Sequence, residues 1–290
     1  MNTPHIDLHV HSTCSDGTLT PAELTAEAAH IGLAAFALTD HDCIAGIAEA
    51  RHAAEKIKED SRPEVISGVE LSCEFEEKEI HILGLYIDEE NEHLASHLTA
   101  FCDSRQTRNQ EMVRRLREEA GFPITLEALT EAYPDSVITR AHVARYLVEQ
   151  GLVKDRNTVF AKYIGDNCPF YVPRPKITPD EGIRLVHQAG GLAFLAHPIL
   201  YRMSTVSLER LTRLLTKAGL NGIEAVYSCY QPGDERNMRA LAARYGLLIS
   251  GGSDFHGANK PNIRLGMGTA HKPIPGSILE EIRARRLQAD

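Results

Sequence analysis

Short apolar segments alternate with amphipathic helical patterns along most of this 290-residue sequence. The first helical pattern carries the signals that delimit such a unit: Thr20 suits an N-cap, Pro21 suits the first helical turn, and Gly32 suits the end of the helix. Alternation of strands and helices is typical of parallel β/α units. Seven strand candidates favour a closed α/β barrel over an open sheet, although periodicity alone leaves both possible. The strand candidates are HIDLHVH, AAFALTDHD, EVISGVELS, KEIHILGLY, GGLAFLAHP, NGIEAVYS and YGLLISGGSDFH.

One long stretch, residues 91–170, interrupts this alternation and has helical patterns throughout, among them TRAHVARYLVEQG. We therefore expect two parts. The barrel is predicted to comprise residues 1–90 and 171–290, and residues 91–170 are predicted to form a helical insertion that covers the substrate site. The segment YVPRPKITP is expected to return the chain to the barrel.

Composition narrows the class of protein. A hydrophobic content of 43% is enough for a large core, and the net charge of −9 argues against a surface that coats nucleic acid. We expect no stable nucleic-acid complex. No apolar run reaches the roughly 18 residues that span a bilayer, and no signal-like start is seen, so a soluble, cytoplasmic protein without a membrane partner is predicted. The six cysteines lack C-x-x-C spacing and are expected to be reduced. The sequence gives no indication of oligomeric state.

Two histidines, His9 and His11, end the first strand candidate. Side chains alternate along a strand, so both imidazoles point the same way. The carboxyl ends of the strands carry the chemistry in a β/α barrel. Two adjacent imidazoles repel each other when both are protonated, and a shared metal cation is the natural partner.

Carboxylates and imidazoles recur at or near the ends of the other strand candidates. Burying such groups costs several kcal/mol each unless they are paired or bind metal. Imidazole and carboxylate ligands without cysteine suit Zn, Mn or Fe, and the number of ligands implies two or three ions. These residues are Asp40, His41, Asp42, Glu70, His81, His197, Asp254 and His256, and Asp16 follows the first strand candidate five residues after His11.

The motifs DLHVHSTCSDGT, LTDHD, GVE, HILG, AHP and GSDFH together resemble the PHP (polymerase and histidinol phosphatase) family, which is related to the amidohydrolases. The resemblance implies a distorted seven-stranded (β/α)7 TIM-like barrel with a trinuclear centre of divalent ions, Mn²⁺ being expected and Zn²⁺ or Fe²⁺ being possible. Carried over motif by motif, it assigns the first ion to His9, His11, Glu70 and Asp254, the second to Asp16, His41 and His256, and the third to Glu70, His81 and His197.

The helical insertion resembles that of one group within the family. A Thr-Arg-x-His stretch, here TRAHVARYL, is similar to that of stand-alone family members that act as 3′,5′-nucleotide bisphosphatases with related 5′-to-3′ exoribonuclease action on short RNA. It implies hydrolysis of the 3′-phosphate of a substrate such as adenosine 3′,5′-bisphosphate, which yields the 5′-mononucleotide and phosphate. The alternative substrate is the 5′ end of a short RNA.

Clustered cations suit phosphate esters because they neutralise charge on the phosphoryl oxygens and lower the pKa of water. The leaving alkoxide needs a proton or a cation, and we consider His197 and Asp254 as the catalytic candidates. A second phosphate needs basic residues, for which Arg140 and Lys162 are the candidates with His142 behind them. Tyr201 is expected to pack rather than to stack on a base.

Three alternatives stay open. An amidohydrolase or deaminase that attacks a C–N bond also begins with His-x-His, but such enzymes often bridge two ions through a modified lysine, and here Glu70 fills that role. A non-catalytic nucleic-acid or metal-binding module would leave the pocket lid unexplained. A histidinol-phosphatase-like enzyme would not need the large insertion.

Overall fold

The computed structural model describes residues 4–134, 136–174 and 176–287. The chain divides into two compact units. Residues up to Ala95 and from Ile177 onward form one, called here the barrel unit, and Ser96–Lys176 form the other, called the helical unit. The sequence predicts these boundaries after residues 90 and 170.

The barrel unit is built on one sheet whose seven strands, within the described residues, lie side by side in chain order. Strands β1 to β3 are parallel to one another, and so are β5 to β7. Strand β4 is antiparallel to both β3 and β5. The strands are β1 His5–Val10, β2 Leu33–Leu38, β3 Glu64–Phe75, β4 Lys78–Leu85, β5 Leu192–Leu195, β6 Gly222–Tyr227 and β7 Leu248–Gly252.

The two edges of the sheet meet between β1 and the segment that follows β7. Asp254 N donates to His9 O over 2.9 Å, and His11 N donates to Phe255 O over 3.0 Å. This junction is called here the seam. The buried carboxylate of Asp7 stabilises it by accepting hydrogen bonds from Ser253 N at 2.9 Å and from Gly266 N at 2.7 Å. Burial raises the pKa of Asp7 to about 6, although these hydrogen bonds oppose the rise. The predicted seven-stranded TIM-like barrel is therefore confirmed in its architecture.

The direction of β4 departs from the expectation that every ligand lies at the carboxyl end of its strand. Only Glu76 and Glu77 separate β3 from β4, both with positive φ (51° and 63°), which is the backbone of a two-residue hairpin turn. His81, which pairs with Ser72 of β3, therefore lies in the first half of β4. The expectation is wrong for His81, because a reversed strand brings its beginning to the rim where the parallel strands end.

Helices cover the outer face of the sheet or form the helical unit. In α1, Thr20 caps the N-terminus by accepting from Glu23 N, while the Glu23 side chain accepts from Thr20 N; this is the capping box that the sequence signals require. The helices are α1 Pro21–His30, α2 Ile47–Glu55, α3 Glu92–Glu118, α4 Leu126–Ala132, α5 Arg140–Glu149, α6 Arg156–Val159, α7 Pro179–Gln188, α8 Thr205–Lys217, α9 Pro232–Arg244 and α10 Ser277–Arg286.

Each unit has its own apolar core. Leu8, Ala37, Leu83 and Phe194 are among the buried residues at the centre of the barrel unit. The core of the helical unit is made by helical side chains, such as Met112, Val143 and Leu147, and by the residues around them. Among the helices of the described residues, none is long and apolar enough to cross a lipid bilayer.

Candidate metal centre

Nine side chains converge at one rim of the barrel unit and are named here the cluster. They are the nine residues predicted as metal ligands, and their ligand atoms fall into four overlapping groups, within each of which all atoms lie within 4.8 Å of one another. The groups are His11, Asp16, His41 and His256; His9, His11 and Asp254; His9, Glu70 and His197; and His41, Glu70 and His81.

The Glu70 carboxylate lies at the centre of the cluster. Its Oε2 atom is 3.3 Å from His9 Nε2, 3.2 Å from His11 Nε2 and 3.1 Å from His41 Nδ1. Its Oε1 atom is 2.7 Å from His81 Nδ1 and 2.9 Å from His197 Nε2. One carboxylate thus faces five imidazoles with two oxygens, which is the arrangement needed to bridge cations.

Asp16 and Asp254 flank Glu70. Asp16 Oδ1 lies 3.2 Å from His256 Nε2, and Asp254 Oδ1 lies 3.3 Å from both His11 Nε2 and His256 Nδ1. Together these contacts link the segment after β1 with the segment after β7. The seam of the barrel and the cluster are therefore the same region of the molecule.

The donor atoms fit divalent cations. Three ligand atoms of the cluster are buried without a hydrogen-bond partner, namely Asp16 Oδ1, His41 Nδ1 and Glu70 Oε2. Unpaired buried polar atoms are costly, and a cation among them removes the cost. The side chains of His41 and His81 are 16% and 14% exposed, whereas those of His9 and His11 are fully buried. The cluster therefore opens to solvent on the side of His41 and His81.

Burial and neighbouring charges shift the pKa values of the cluster residues in different directions. Burial lowers the pKa of His11, but hydrogen bonds with Asp254 and Glu70 outweigh it and raise that pKa to about 9. Burial dominates at His41, whose pKa falls to about 3 despite the charge of Glu70. At Glu70 itself, burial is outweighed by the charges of His41 and His81, which hold its pKa well below the usual range.

Glu224 supports the cluster, although it is absent from the predicted site. Its Oε1 atom lies 3.0 Å from His9 Nδ1, and its Oε2 atom accepts a hydrogen bond of 2.7 Å from His197 N. An acceptor at Nδ1 leaves His9 Nε2 free to face Glu70 and Asp254. A lone carboxylate inside the apolar strand NGIEAVYS was the available signal, because such a group is buried only with a partner.

Further polar residues hold the loops of the cluster. Asp40, which follows β2, accepts hydrogen bonds from Ser12 N at 2.8 Å and from Ser15 Oγ at 2.5 Å. Asp42 accepts from Ser72 N at 2.8 Å. Both aspartates, noted in the sequence beside His41, thus position backbone near the ligands and are not members of the four groups. Tyr201 packs, as expected: its hydroxyl donates to Ala196 O over 2.5 Å and accepts from His81 N over 3.0 Å.

The two candidate catalytic residues have strained backbones. His197 has φ 27° and Asp254 has φ 58°, a region that non-glycine residues seldom adopt. Asp254 Oδ2 accepts hydrogen bonds of 2.5 Å from the Tyr227 hydroxyl and from Lys260 Nζ. Although burial opposes it, the charges of Lys260 and His256 hold the pKa of Asp254 well below its usual range. Asp254 is therefore an ionised carboxylate, suited to a cation and not to donating a proton.

The three predicted substrate residues all lie in the helical unit. Arg140 begins α5 and forms an ion pair of 2.8 Å with Asp166. His142 is buried, and its Nδ1 atom accepts from Thr139 N over 3.0 Å, so the ring forms part of a helix cap. Lys162 is exposed on a π-helical turn, Phe160–Ile164. Their role in substrate binding stays a prediction.

Comparison with known protein families shows to which family the chain belongs. The profile of the PHP domain matches residues 7–250. The chain belongs to the PHP family. The match runs from β1 into β7 and includes seven residues of the cluster, while Asp254 and His256 lie just beyond it.

PHP relatives align with nearly the whole chain. The 3′,5′-nucleoside bisphosphate phosphatase of Chromobacterium violaceum is 37% identical over 285 residues, which is 98% of each chain. The 5′-3′ exoribonuclease Rnm of Escherichia coli is 37% identical over 250 residues, 86% of this chain and 84% of that one. A solved structure from Bifidobacterium adolescentis, assigned as a metal-dependent phosphoesterase, superposes with a TM-score of 0.84 at 32% identity and covers 97% of this chain and 96% of its own. The protein is a metal-dependent phosphoesterase of the PHP family.

Proposed function

We propose that the protein hydrolyses the 3′-phosphate of 3′,5′-bisphosphonucleotides, such as adenosine 3′,5′-bisphosphate, to the 5′-mononucleotide and phosphate. The observation that carries this proposal is the 37% identity with the Chromobacterium violaceum phosphatase over 98% of both chains. The likeness to the Escherichia coli exoribonuclease supports a second activity, removal of nucleotides from the 5′ end of short RNA.

The cluster is proposed to hold three divalent ions, Mn²⁺ being the expected species. The ligands for each ion are those that the family resemblance implies, and the overlapping groups around Glu70 support a shared centre. Bound ions supply water of lowered pKa and positive charge for the phosphoryl oxygens. The ionised Asp16, Glu70 and Asp254 supply the negative charge that retains these ions, and buried His9 and His11 exclude water from one side.

His197 and Asp254 were the candidates for assisting the leaving alkoxide. Asp254 is better suited to binding a cation, because both of its oxygens have partners and Oδ2 accepts two hydrogen bonds. His197 uses Nε2 to contact Glu70, while its Nδ1 is buried without a hydrogen-bond partner. We therefore retain His197 as the candidate for contact with the leaving group. Arg140, Lys162 and His142 are retained as candidates for binding the second phosphate.

A substrate panel tests the proposal. Release of phosphate from adenosine 3′,5′-bisphosphate is measured beside a 5′-phosphorylated short RNA, histidinol phosphate and a cyclic amide, all with Mn²⁺, and bound metal is measured on the same sample. We expect the bisphosphonucleotide to have the highest kcat/KM. Preference for histidinol phosphate, or turnover of the cyclic amide alone, would favour one of the alternative activities and contradict the proposal.

A further inference from the structure

Lys260 places an ammonium group at the edge of the cluster, where the sequence patterns predict no functional residue. We propose that Lys260 is a substrate-positioning residue that binds an oxygen of the phosphate group undergoing hydrolysis. This inference rests on the proposed function only in requiring a phosphate at the cluster, and it does not depend on which nucleotide carries that phosphate.

The position of Lys260 is defined by the two oxygens of Asp254. Oδ1 faces the imidazoles of the cluster, at 3.3 Å from His11 Nε2. Oδ2 faces away from them and lies 2.5 Å from Lys260 Nζ. The ammonium group is therefore one carboxylate away from the ligand atoms, which is close enough to share a bound phosphate with cations held there.

The loop that carries Lys260 is fixed to the loop that carries the ligand Asp16. Ala258 N donates to Thr18 Oγ1 over 2.9 Å, and Asn259 Nδ2 donates to Asp16 O over 2.7 Å. At Gly257, φ is +60° and an added Cβ atom would lie 2.1 Å from Thr18 Oγ1, so only glycine permits this approach. Lys260 is thus held at a set distance from the cluster by its backbone.

The Lys260 side chain can also reach a ligand. It is 37% exposed, whereas the side chain of Asp254 is 5% exposed, so a lysine that contacts a buried carboxylate is itself partly open to solvent. Within the described residues, Nζ donates a hydrogen bond to Asp254 Oδ2. An ammonium group has three N–H donors, which leaves two for an anion. Tyr227, the other donor to Oδ2, is buried and packs against Tyr230, so it is a structural partner of Asp254.

A lysine in this place suits phosphate in particular. Its ammonium group is a compact charge on a flexible stem and binds phosphate as a point charge. A phosphate oxygen that contacts both a cluster cation and Lys260 would be oriented from two sides. If Lys260 only oriented Asp254, its replacement would lower the affinity for metal and would affect phosphate only through that loss. Measuring metal and phosphate binding separately therefore tests the proposal.

The experiment compares Lys260→Met with Lys260→Arg and with the control Lys56→Met, which removes an exposed lysine at the end of α2. Each protein is loaded with Mn²⁺, its metal content is measured, and binding of inorganic phosphate is determined by calorimetry. KM and kcat are then measured for a phosphate monoester that the wild type hydrolyses.

We expect Lys260→Met to bind phosphate about ten-fold or more weakly, with a raised KM and wild-type metal content. Lys260→Arg should recover part of the affinity, and Lys56→Met should match the wild type. Unchanged phosphate affinity in Lys260→Met would overturn the proposal, and so would a weaker affinity explained entirely by loss of metal. Since phosphate binding is measured without a nucleotide, failure of the proposed nucleotide specificity would leave this result interpretable.

Discussion

Glu224 Oε1 lies 3.0 Å from His9 Nδ1, and the two side chains are completely buried. The same carboxylate accepts the backbone N–H of His197 through its other oxygen. One residue of β6 therefore positions cluster residues from β1 and from the segment after β5. This contact orients the ring of His9 so that Nε2 points at Glu70. We therefore expect Glu224 to affect metal binding through His9, without contacting an ion itself.

Glu224→Gln should weaken binding of the most loosely held ion about 10- to 100-fold, because one amide oxygen cannot replace two carboxylate oxygens as acceptors. Metal titration followed by elemental analysis measures the change. Glu281→Gln, which alters an exposed residue of α10, is the control and should bind metal like the wild type. Equal metal affinity in both variants would exclude a positioning role for Glu224.

Removal of metal should destabilise the protein, because ions that bind the native state but not the unfolded chain stabilise the native state by mass action. We expect the Tm to fall by about 5 °C or more after chelation and to recover when Mn²⁺ is added. Thermal unfolding of stripped and reloaded samples measures this shift. The Glu70→Ala variant should show a smaller response, and an identical Tm for stripped and loaded wild type would argue against a resident metal centre.

Arg140→Ala should raise KM for a 3′,5′-bisphosphonucleotide about ten-fold or more, because a guanidinium–phosphate contact is a charge-assisted hydrogen bond. The KM for a nucleotide with only a 3′-phosphate should change little. Steady-state kinetics with both substrates make the comparison, and Arg117→Ala, at an exposed position of α3, is the control. A rise in KM of equal size for both substrates would show that Arg140 does not bind the second phosphate.

Gly257→Ala should destabilise the protein by more than Gly246→Ala. Both glycines have positive φ, at +60° and +64°, so each substitution carries a backbone cost of about 1–2 kcal/mol. Only at Gly257 does the new Cβ meet Thr18, which adds about 1–3 kcal/mol of steric strain. Urea unfolding of both variants measures the difference, and equal losses would mean that the loop moves freely away from Thr18.

Much of the barrel could be predicted because six of the seven strands contain or lead into a chemically distinctive motif. All nine predicted ligands lie together at one rim, since residues that are costly to bury alone mark the places where strands end near one another. Predictions of this kind name the residues that meet. Such predictions do not show which residues share an ion. In the structure, His81 and His197 contact the same oxygen of Glu70 but belong to different groups.

Other features depended on relationships that a linear pattern conceals. The predicted third strand ends at Ser72, while β3 continues to Phe75, so the strand candidates do not reveal the two-residue turn before β4. The reversed direction of β4 was missed for that reason. Glu224 was missed because its partner His9 is far away in sequence. Lys260 was missed because a single lysine in a loop is usually a solvated charge, although its partner Asp254 is only six residues away.

The seam between β1 and the segment after β7 also determines when the protein can mature during synthesis. The β1 segment is synthesised long before Asp254, Phe255 and Ile274, to which its backbone bonds. A nascent chain that lacks those late residues has neither the closed barrel nor all of the donors that retain ions. We therefore expect the complete set of donors to come together only after the segment that follows β7 has been synthesised.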